Sequence, residues 1–190
     1  MKIFISGGCK NGKSHYAQHL ARAQRKVRQT GSLYYIATMK PIDSEDDDRI
    51  ARHRREREGW GFATVEQPVD IERILETCDP CGSFLLDSLT ALLANEMFAP
   101  NGTVNEHALP KIINGLRQIT DTVDNIIIVS DYIYSDAFFY DPLTAQYRKS
   151  LAEIDRTAAE NCDAVLEVSF ANLMIHKGKK MFDEFYEKIL

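Results

Sequence analysis

Two short segments of this chain carry residue types that can bind or transfer phosphate groups. The first, GGCKNGKS at residues 7–14, fits the pattern G-x-x-x-x-G-K-[ST]. Its glycines allow the backbone to wrap around a phosphate and to point N–H groups inward. Lys13, on a solvent-facing loop, would bridge the β- and γ-phosphates, and Ser14 would ligate Mg²⁺. The segment predicts a site for ATP or GTP formed by Gly7, Gly8, Cys9, Lys10, Asn11, Gly12, Lys13 and Ser14.

A triphosphate site of this kind needs a carboxylate to position Mg²⁺. Asp87 ends the apolar segment SFLLD, residues 83–87, and would lie at the carboxyl end of a buried strand. Ligands of open α/β sheets collect at those strand ends, so we expect Asp87, Thr38 and Ser130 to line one crevice. The alternative role for Asp87 is a cap on the helix that follows.

The second segment is RIARHRREREGW, residues 49–60, with five arginines, two glutamates and one histidine. Acidic residues precede it at positions 43–48, where negative charge suits the N-terminus of a helix. Charge runs usually form solvated helix faces. Taken alone, the segment therefore favours a bystander role for His53 over a chemical one.

The composition indicates one compact domain over residues 1–190. The chain is 44% hydrophobic and 27% charged, and its formal net charge of −5 argues against a general nucleic-acid binder,. The segment MKIFISGG leads straight into structure, and we expect neither a signal peptide nor a membrane span. Four cysteines at irregular spacing indicate a reducing cytoplasm. The pair Cys78 and Cys81 has no second pair with which to bind zinc, so we assign it no function.

Short apolar segments alternate with amphipathic ones along the chain. Strands are expected at 2–6, 33–38, 83–87, 125–130 and 164–169, with further candidates at 62–66 and, at an edge, 172–177. Helices are expected at 13–25, 44–58, 69–78, 89–98, 106–121 and 143–161. The tail at 179–190 predicts a short helix that packs on the body or on a neighbouring subunit. This alternation predicts an α/β, P-loop NTPase-like fold, with a mostly parallel sheet and helices on both faces.

Several segments, in their order along the chain, resemble one family. They are FISGGCKNGKS, YYIAT, RIARHR, TVEQP, FLLDSLTALLANEMF and IIIVSD. The family is the bifunctional adenosylcobinamide kinase/adenosylcobinamide-phosphate guanylyltransferase of cobalamin synthesis. The resemblance implies small-molecule substrates, namely ATP or GTP and a corrinoid, with Mg²⁺ as cofactor and a homo-oligomer, a trimer, as the assembly.

The resemblance also implies roles for individual residues. His53 falls on the histidine that becomes guanylylated, and Lys13 would stabilise charge on the phosphates in both steps. Guanine-nucleotide contacts would come from Ala37, Thr38, Met39, Arg54, Arg55, Glu56, Arg57, Glu66 and Asp87. A neutral imidazole is a competent nucleophile. Arg49 and Arg57, one turn to either side of His53, would favour that neutral form.

The C-terminal half departs from the family pattern. The loop after the fourth strand, SDYIYSDAFFYDP, lacks the usual Asn-Glu-Val-Gly sequence, and Asp155-Arg156 replaces an Asn-Gln pair, whereas Arg148 and Asp163 fit. The aromatic residues of this loop would form a lid, a subunit contact or an altered wall for the second substrate. We expect Asp131 and Asp136 to repel a phosphorylated acceptor. Two other functions stay open: a kinase or nucleotidyltransferase for another acceptor, and a non-catalytic nucleotide-dependent binding protein.

Overall fold

The protein is built on a seven-stranded sheet. The computed structural model describes residues 1–29, 31–41, 43–99, 101–170 and 172–188, without the side chains of Glu45 and Arg49. The strands are β1 Lys2–Gly7, β2 Leu33–Ala37, β3 Ala63–Glu66, β4 Ser83–Asp87, β5 Asn125–Val129, β6 Ala164–Ser169 and β7 Asn172–Lys177. Their order is β3-β2-β4-β5-β1-β6-β7. The first six are parallel to their neighbours, and β7 runs antiparallel to β6 at the edge.

Helices cover both faces of this sheet. They are α1 Lys13–Arg28, α2 Ser44–Glu56, α3 Ile74–Thr77, α4 Leu89–Met97, α5 Ala108–Thr122, α6 Pro142–Asn161 and α7 Lys179–Tyr186. Alternate residues of the strands belong to two apolar cores, one on each face of the sheet. Phe4 packs in the core with α3 to α6, whereas Ile3 and Ile5 pack in the core with α1 and α7. The predicted fold class is therefore confirmed. Among the described helices, none is long and apolar enough to cross a membrane.

The helix predicted at 69–78 differs most from the structure. A 3-10 turn at Ile71–Arg73 leads into the single turn of α3, and Asp70 before it has a φ of 50°. The Asp70 backbone N–H donates to Glu96 Oε1 at 2.7 Å, and Lys111 Nζ forms ion pairs with both carboxylates. These contacts to α4 and α5 hold Asp70 in the left-handed conformation, which an α-helix does not allow.

Parallel pairing brings the carboxyl ends of the strands to one edge of the sheet. Ala37 lies opposite Asp87, and Asp87 lies opposite Val129. Next to them, β1 ends at Gly7, where a Cβ would come within 2.3 Å of the Val168 carbonyl oxygen. Only glycine allows β1 and β6 to pair this closely where the phosphate loop begins.

Candidate active site

The loop at residues 8–12 connects β1 to α1 at this edge of the sheet. Gly12 occupies the N-cap position of α1 with a φ of 86°, a left-handed conformation that suits glycine,. Residues 13–16 of the described first turn include no acid. The N–H groups at this end of α1 can therefore bind an anion without a competing side-chain carboxylate from the same turn.

Lys13 is buried, which corrects the expectation that it lies on a solvent-facing loop. It is the first residue of α1, and its side chain is 6% exposed. Its Nζ donates to the Gly8 carbonyl oxygen at 2.7 Å and forms an ion pair with Asp131 Oδ1 at 2.8 Å. Asp131 follows β5, so a contact across the sheet edge holds the ammonium group where the phosphates would bind.

Asp87 lies at the end of β4, as predicted, and Ser88 caps the next helix instead of it. Ser88 Oγ accepts from the Ala91 backbone N–H, which removes the capping alternative. Asp87 Oδ2 accepts a hydrogen bond from the Tyr35 hydroxyl at 2.8 Å, and both Asp87 and Ser14 line the same two cavities. A carboxylate and a hydroxyl suit Mg²⁺, which keeps several of its waters and takes few protein ligands.

Thr38 and Ser130 do not line the crevice, contrary to expectation. Both are buried. Thr38 Oγ1 donates to the Ser88 carbonyl oxygen at 2.8 Å and accepts from the Ser88 N–H at 2.7 Å. Thr38 thus ties the end of β2 to the start of α4 by pairing with both backbone groups of Ser88,. Ser130 lies next to Asp155 inside the protein.

His53 lies on α2, and its nearest charged partner is a carboxylate. His53 Nδ1 is 3.1 Å from Glu56 Oε2, one helical turn away. The guanidinium of Arg57, which we expect one turn from His53, lies 3.9 Å from the Tyr35 ring centroid. The side chain of Arg49 lies outside the described part of the structure. Glu56 therefore orients the imidazole and leaves Nε2 as the ring nitrogen that can react.

Two arginines of the predicted nucleotide site are held by the edge strand β3. Arg57 is buried and donates to Thr64 Oγ1 at 3.2 Å, whereas Arg54 forms an ion pair with Glu66 at 2.8 Å. Burial lowers the pKa of Arg57 from its ordinary value, and the nearby Tyr35 and Asp87 act in the opposite direction. An arginine remains charged under these conditions, so positive charge is fixed on this wall.

Two adjoining cavities lie along the sheet edge. The phosphate chamber, about 620 Å³, is lined by Lys10 to His15 and by α2. The inner chamber, about 420 Å³, is lined by Tyr35, Ala37, Met39, Arg54, Arg57 and Glu66. Ser14, His53, Asp87, Ser88 and Asp131 line both chambers. A phosphate chain in the first chamber and an organic group in the second would therefore meet at His53.

The structure brings most of the predicted site residues together. Lys10, Asn11, Gly12, Lys13, Ser14, His53, Glu56 and Asp87 line the phosphate chamber, and Ala37, Met39, Arg54, Arg57 and Glu66 line the inner one. Five predicted residues line neither described chamber: Gly7, Gly8, Cys9, Thr38 and Arg55. Thr38 points into the core, Arg55 lies on the exposed face of α2, and the glycines shape the loop through their backbone.

The charges expected to repel a phosphorylated acceptor are both paired. Asp131 contacts Lys13, and Asp136 forms an ion pair with Arg148 at 3.0 Å. Each carboxylate thus has a cationic partner, which offsets part of the repulsion that we expect. The pairing of Asp131 with Lys13 was not predicted from the sequence. A polar residue at the end of an apolar strand identified Asp87, and Asp131, just after β5, shows the same pattern.

A buried carboxyl group lies behind this wall, on α6. Asp155 is 2% exposed, and its Oδ2 accepts from the Tyr134 hydroxyl at 3.0 Å. Within the described residues, neither its Oδ1 nor the nearby Ser130 Oγ makes a hydrogen bond of good geometry. Burial, assisted by the charge of Asp131 and opposed by the hydroxyl groups of Ser130 and Tyr134, raises the pKa of Asp155 to about 7.

The aromatic loop at residues 131–142 divides into two parts. Ile133 and Tyr134 pack against the core, and Arg148 Nε donates to the Ile133 carbonyl oxygen at 3.0 Å. Phe138 and Phe139 are exposed. The loop is thus anchored at one end and presents aromatic surface at the other, so its three expected roles stay open.

The two cysteines of the pair lie in different environments. Cys78 is buried and Cys81 is exposed, and both are free thiols. Burial raises the pKa of Cys78. Across the described residues no cluster of three or more His, Cys, Asp or Glu could hold a metal ion. Mg²⁺ at Ser14 and Asp87 would therefore be completed by phosphate oxygens and water.

Residues 3–172 match the family model described as cobinamide kinase/cobinamide phosphate guanyltransferase. The chain is 28% identical over 171 residues to the bifunctional adenosylcobalamin biosynthesis protein CobP of Pseudomonas aeruginosa. The aligned region covers 87% of this chain and 91% of that protein. It is 31% identical over 104 residues to the bifunctional adenosylcobalamin biosynthesis protein CobU of Escherichia coli K12. That aligned region covers 54% of this chain and 53% of that protein.

A solved structure shows the same architecture. The KaiC-like protein of the hyperthermophilic archaeon Pyrococcus horikoshii OT3 superposes with a TM-score of 0.50 at 10% identity, over 93% of this chain and 78% of that one. At such low identity the likeness shows the fold alone.

Proposed function

We propose, from the premise that this chain belongs to the cobinamide kinase/cobinamide phosphate guanylyltransferase family, that it catalyses both reactions on adenosylcobinamide. It phosphorylates the hydroxyl group of that corrinoid with ATP or GTP, then transfers GMP from GTP through His53 to give GDP-cobinamide. The observation that carries this proposal is the position of His53 on the wall shared by the phosphate chamber and the inner chamber. We also propose the trimer that the family resemblance implies and the cytoplasmic location that the irregular cysteine spacing indicates.

The kinase step uses the phosphate loop and the wall beside it. The acceptor hydroxyl oxygen attacks the γ-phosphorus, the bond to the β–γ bridging oxygen breaks, and the nucleoside diphosphate leaves. Lys13 binds the phosphates in place of Asp131, and the freed Asp131 carboxylate takes the hydroxyl proton,. Ser14 and Asp87 would hold Mg²⁺, which offsets negative charge on the phosphate oxygens.

The guanylyl transfer uses the imidazole that Glu56 orients. His53 Nε2 attacks the α-phosphorus of GTP, the bond to the α–β bridging oxygen breaks, and pyrophosphate leaves. The Nδ1–H of the ring donates to Glu56 at 3.1 Å, so the carboxylate balances the positive charge that the ring acquires. A phosphate oxygen of cobinamide phosphate then attacks the same phosphorus, and the P–N bond breaks to regenerate His53.

The guanosine would occupy the inner chamber. Its walls include the Arg57–Tyr35 stack and the Arg54–Glu66 ion pair, which offer a cationic plane and polar groups to a purine. A GTP that lies in this direction places its α-phosphate beside His53, between the two chambers.

The test separates the two activities in one variant. Wild-type protein incubated with α-labelled GTP should retain acid-labile label, and His53→Ala should retain none while still phosphorylating adenosylcobinamide from γ-labelled ATP. His107→Ala, which changes a histidine outside both chambers, is the matched control and should behave as wild type. Label that persists in His53→Ala would contradict the proposed nucleophile.

The acceptor is tested in the same experiment. The departure of loop 131–142 from the family pattern favours, as the second candidate, a kinase or nucleotidyltransferase for another acceptor. A protein that binds label from GTP but turns over no adenosylcobinamide would support that candidate. A protein that binds nucleotide without either reaction would support a non-catalytic role.

A further inference from the structure

A third cavity, about 490 Å³, borders the phosphate loop, and His53 is not among its lining residues. It lies between α1 and α7, and we call it the ring groove for the four aromatic side chains that line it: His15, Tyr16, His19 and Tyr186. The groove shares Asn11, Gly12 and His15 with the phosphate chamber. The phosphate chamber therefore adjoins two cavities, the inner chamber and the ring groove.

The ring groove has the surface chemistry of a site for a planar base. The His15 and His19 ring centroids are 4.4 Å apart, and those of His19 and Trp60 are 4.6 Å apart. Tyr186 is half exposed and stacks on Phe182. Burial lowers the pKa of His19, and the charges of His15 and Arg22 lower it further, so a neutral ring is favoured. Nucleobases of any kind stack on such rings.

The order of the two proposed reactions explains why a second site for a base is needed. Both act on the same end of the acceptor, first its hydroxyl group and then the phosphate built on it. In the second step that end must reach the guanylyl group at His53. If this end of the acceptor also approaches from the side of His53 in the first step, the γ-phosphate of the donor must face the wall formed by His53, Asp87 and Asp131. The nucleoside of the donor must then extend away from that wall, and the ring groove borders the phosphate loop without including His53, Asp87 or Asp131 in its lining.

We propose that the ring groove binds the purine base of the nucleoside triphosphate that donates its γ-phosphate, while the guanosine of the GMP donor binds in the inner chamber. The triphosphate chain would thus lie in opposite directions in the two steps. This inference deepens the proposed function and rests on it, because it requires a phosphate loop that binds triphosphates.

The test separates the contribution of the base from that of the phosphates. Dissociation constants for ATP and for inorganic tripolyphosphate, which has no base, are measured by calorimetry in the presence of Mg²⁺. Wild-type protein should bind ATP on the order of tenfold or more tightly than tripolyphosphate. Tyr186→Ala and His19→Ala should each remove most of that difference and leave tripolyphosphate binding unchanged.

Two further variants serve as controls. Tyr186→Phe keeps the ring and should bind ATP as wild type does. Met181→Ala changes an exposed residue of the same helix outside the groove and should also bind ATP normally. In Tyr186→Ala the KM for ATP in the kinase step should rise, whereas the rate of guanylylation at saturating GTP should be unchanged.

Three results would contradict the proposal that the ring groove binds the purine base, and each has a different meaning. If wild-type protein bound no tripolyphosphate, the phosphate loop would not function and both proposals would be overturned. If tripolyphosphate bound and the ring-groove variants kept full affinity for ATP, this inference alone would fail and the proposed function would stand. A change in oligomer mass by light scattering, with ATP affinity intact, would make the groove a subunit contact and would also overturn the inference.

Discussion

Replacing the buried Asp155 with asparagine should stabilise the protein above neutral pH. Asp155 accepts one hydrogen bond, from Tyr134, and its burial raises its pKa from 3.8 to about 7. The folded state therefore binds a proton that the unfolded state releases at lower pH. The free energy of unfolding that depends on this group is fully present below about pH 4 and is lost as the pH rises towards and through 7. Asparagine cannot ionise, and its amide oxygen can still accept from Tyr134.

The size of the effect follows from the two pKa values. Each unit of difference corresponds to 1.36 kcal/mol, so the full loss is about 4 kcal/mol, and about 2–3 kcal/mol of it falls between pH 5 and pH 8. Asp131 lies near enough to contribute to the shift, and its ion pair with Lys13 makes these figures upper values.

The assay is urea denaturation of wild-type protein and Asp155→Asn at pH 5 and pH 8. The stability difference between the two should increase with pH, in favour of the variant. Asp121→Asn, which changes an exposed carboxyl on α5, is the matched control and should show no such trend. A difference that does not change with pH, or a variant less stable than wild type at pH 8, would refute the reasoning.

Two further predictions concern the active site. Lys13→Ala should abolish measurable triphosphate binding by calorimetry and lower the free energy of unfolding by roughly 1–3 kcal/mol, because Asp131 loses its partner in a partly buried ion pair. Lys13→Ala/Asp131→Ala should recover stability but not binding, and wild-type binding in either variant would contradict the phosphate-loop assignment. Glu56→Gln should slow the formation of the GMP adduct roughly tenfold or more, because the amide cannot balance the charged imidazole, with the kinase rate unchanged. Equal loss of both rates would mean that Glu56 has only a structural role.

Local sequence was sufficient for the elements that depend on neighbouring residues. The phosphate loop is a contiguous segment whose glycines set its conformation, and the apolar strands of a parallel sheet are recognisable one at a time. The end of β4 identified Asp87 for the same reason. The aligned carboxyl ends of the strands then follow from parallel pairing, so the location of the site at this edge was predictable without the structure.

Contacts between distant segments decided the rest. Lys13 is buried because Asp131, just after another strand, supplies its countercharge. The Thr38 hydroxyl does not reach the crevice because it forms hydrogen bonds with both backbone groups of Ser88. The Arg57 guanidinium stacks on Tyr35, and Glu96 and Lys111 hold Asp70 out of a helix. The ring groove exists only where α7 returns to lie beside α1. Each of these features depends on which charge, ring or backbone group lies nearest in space. Local propensity along the chain does not determine which groups become neighbours in the folded protein.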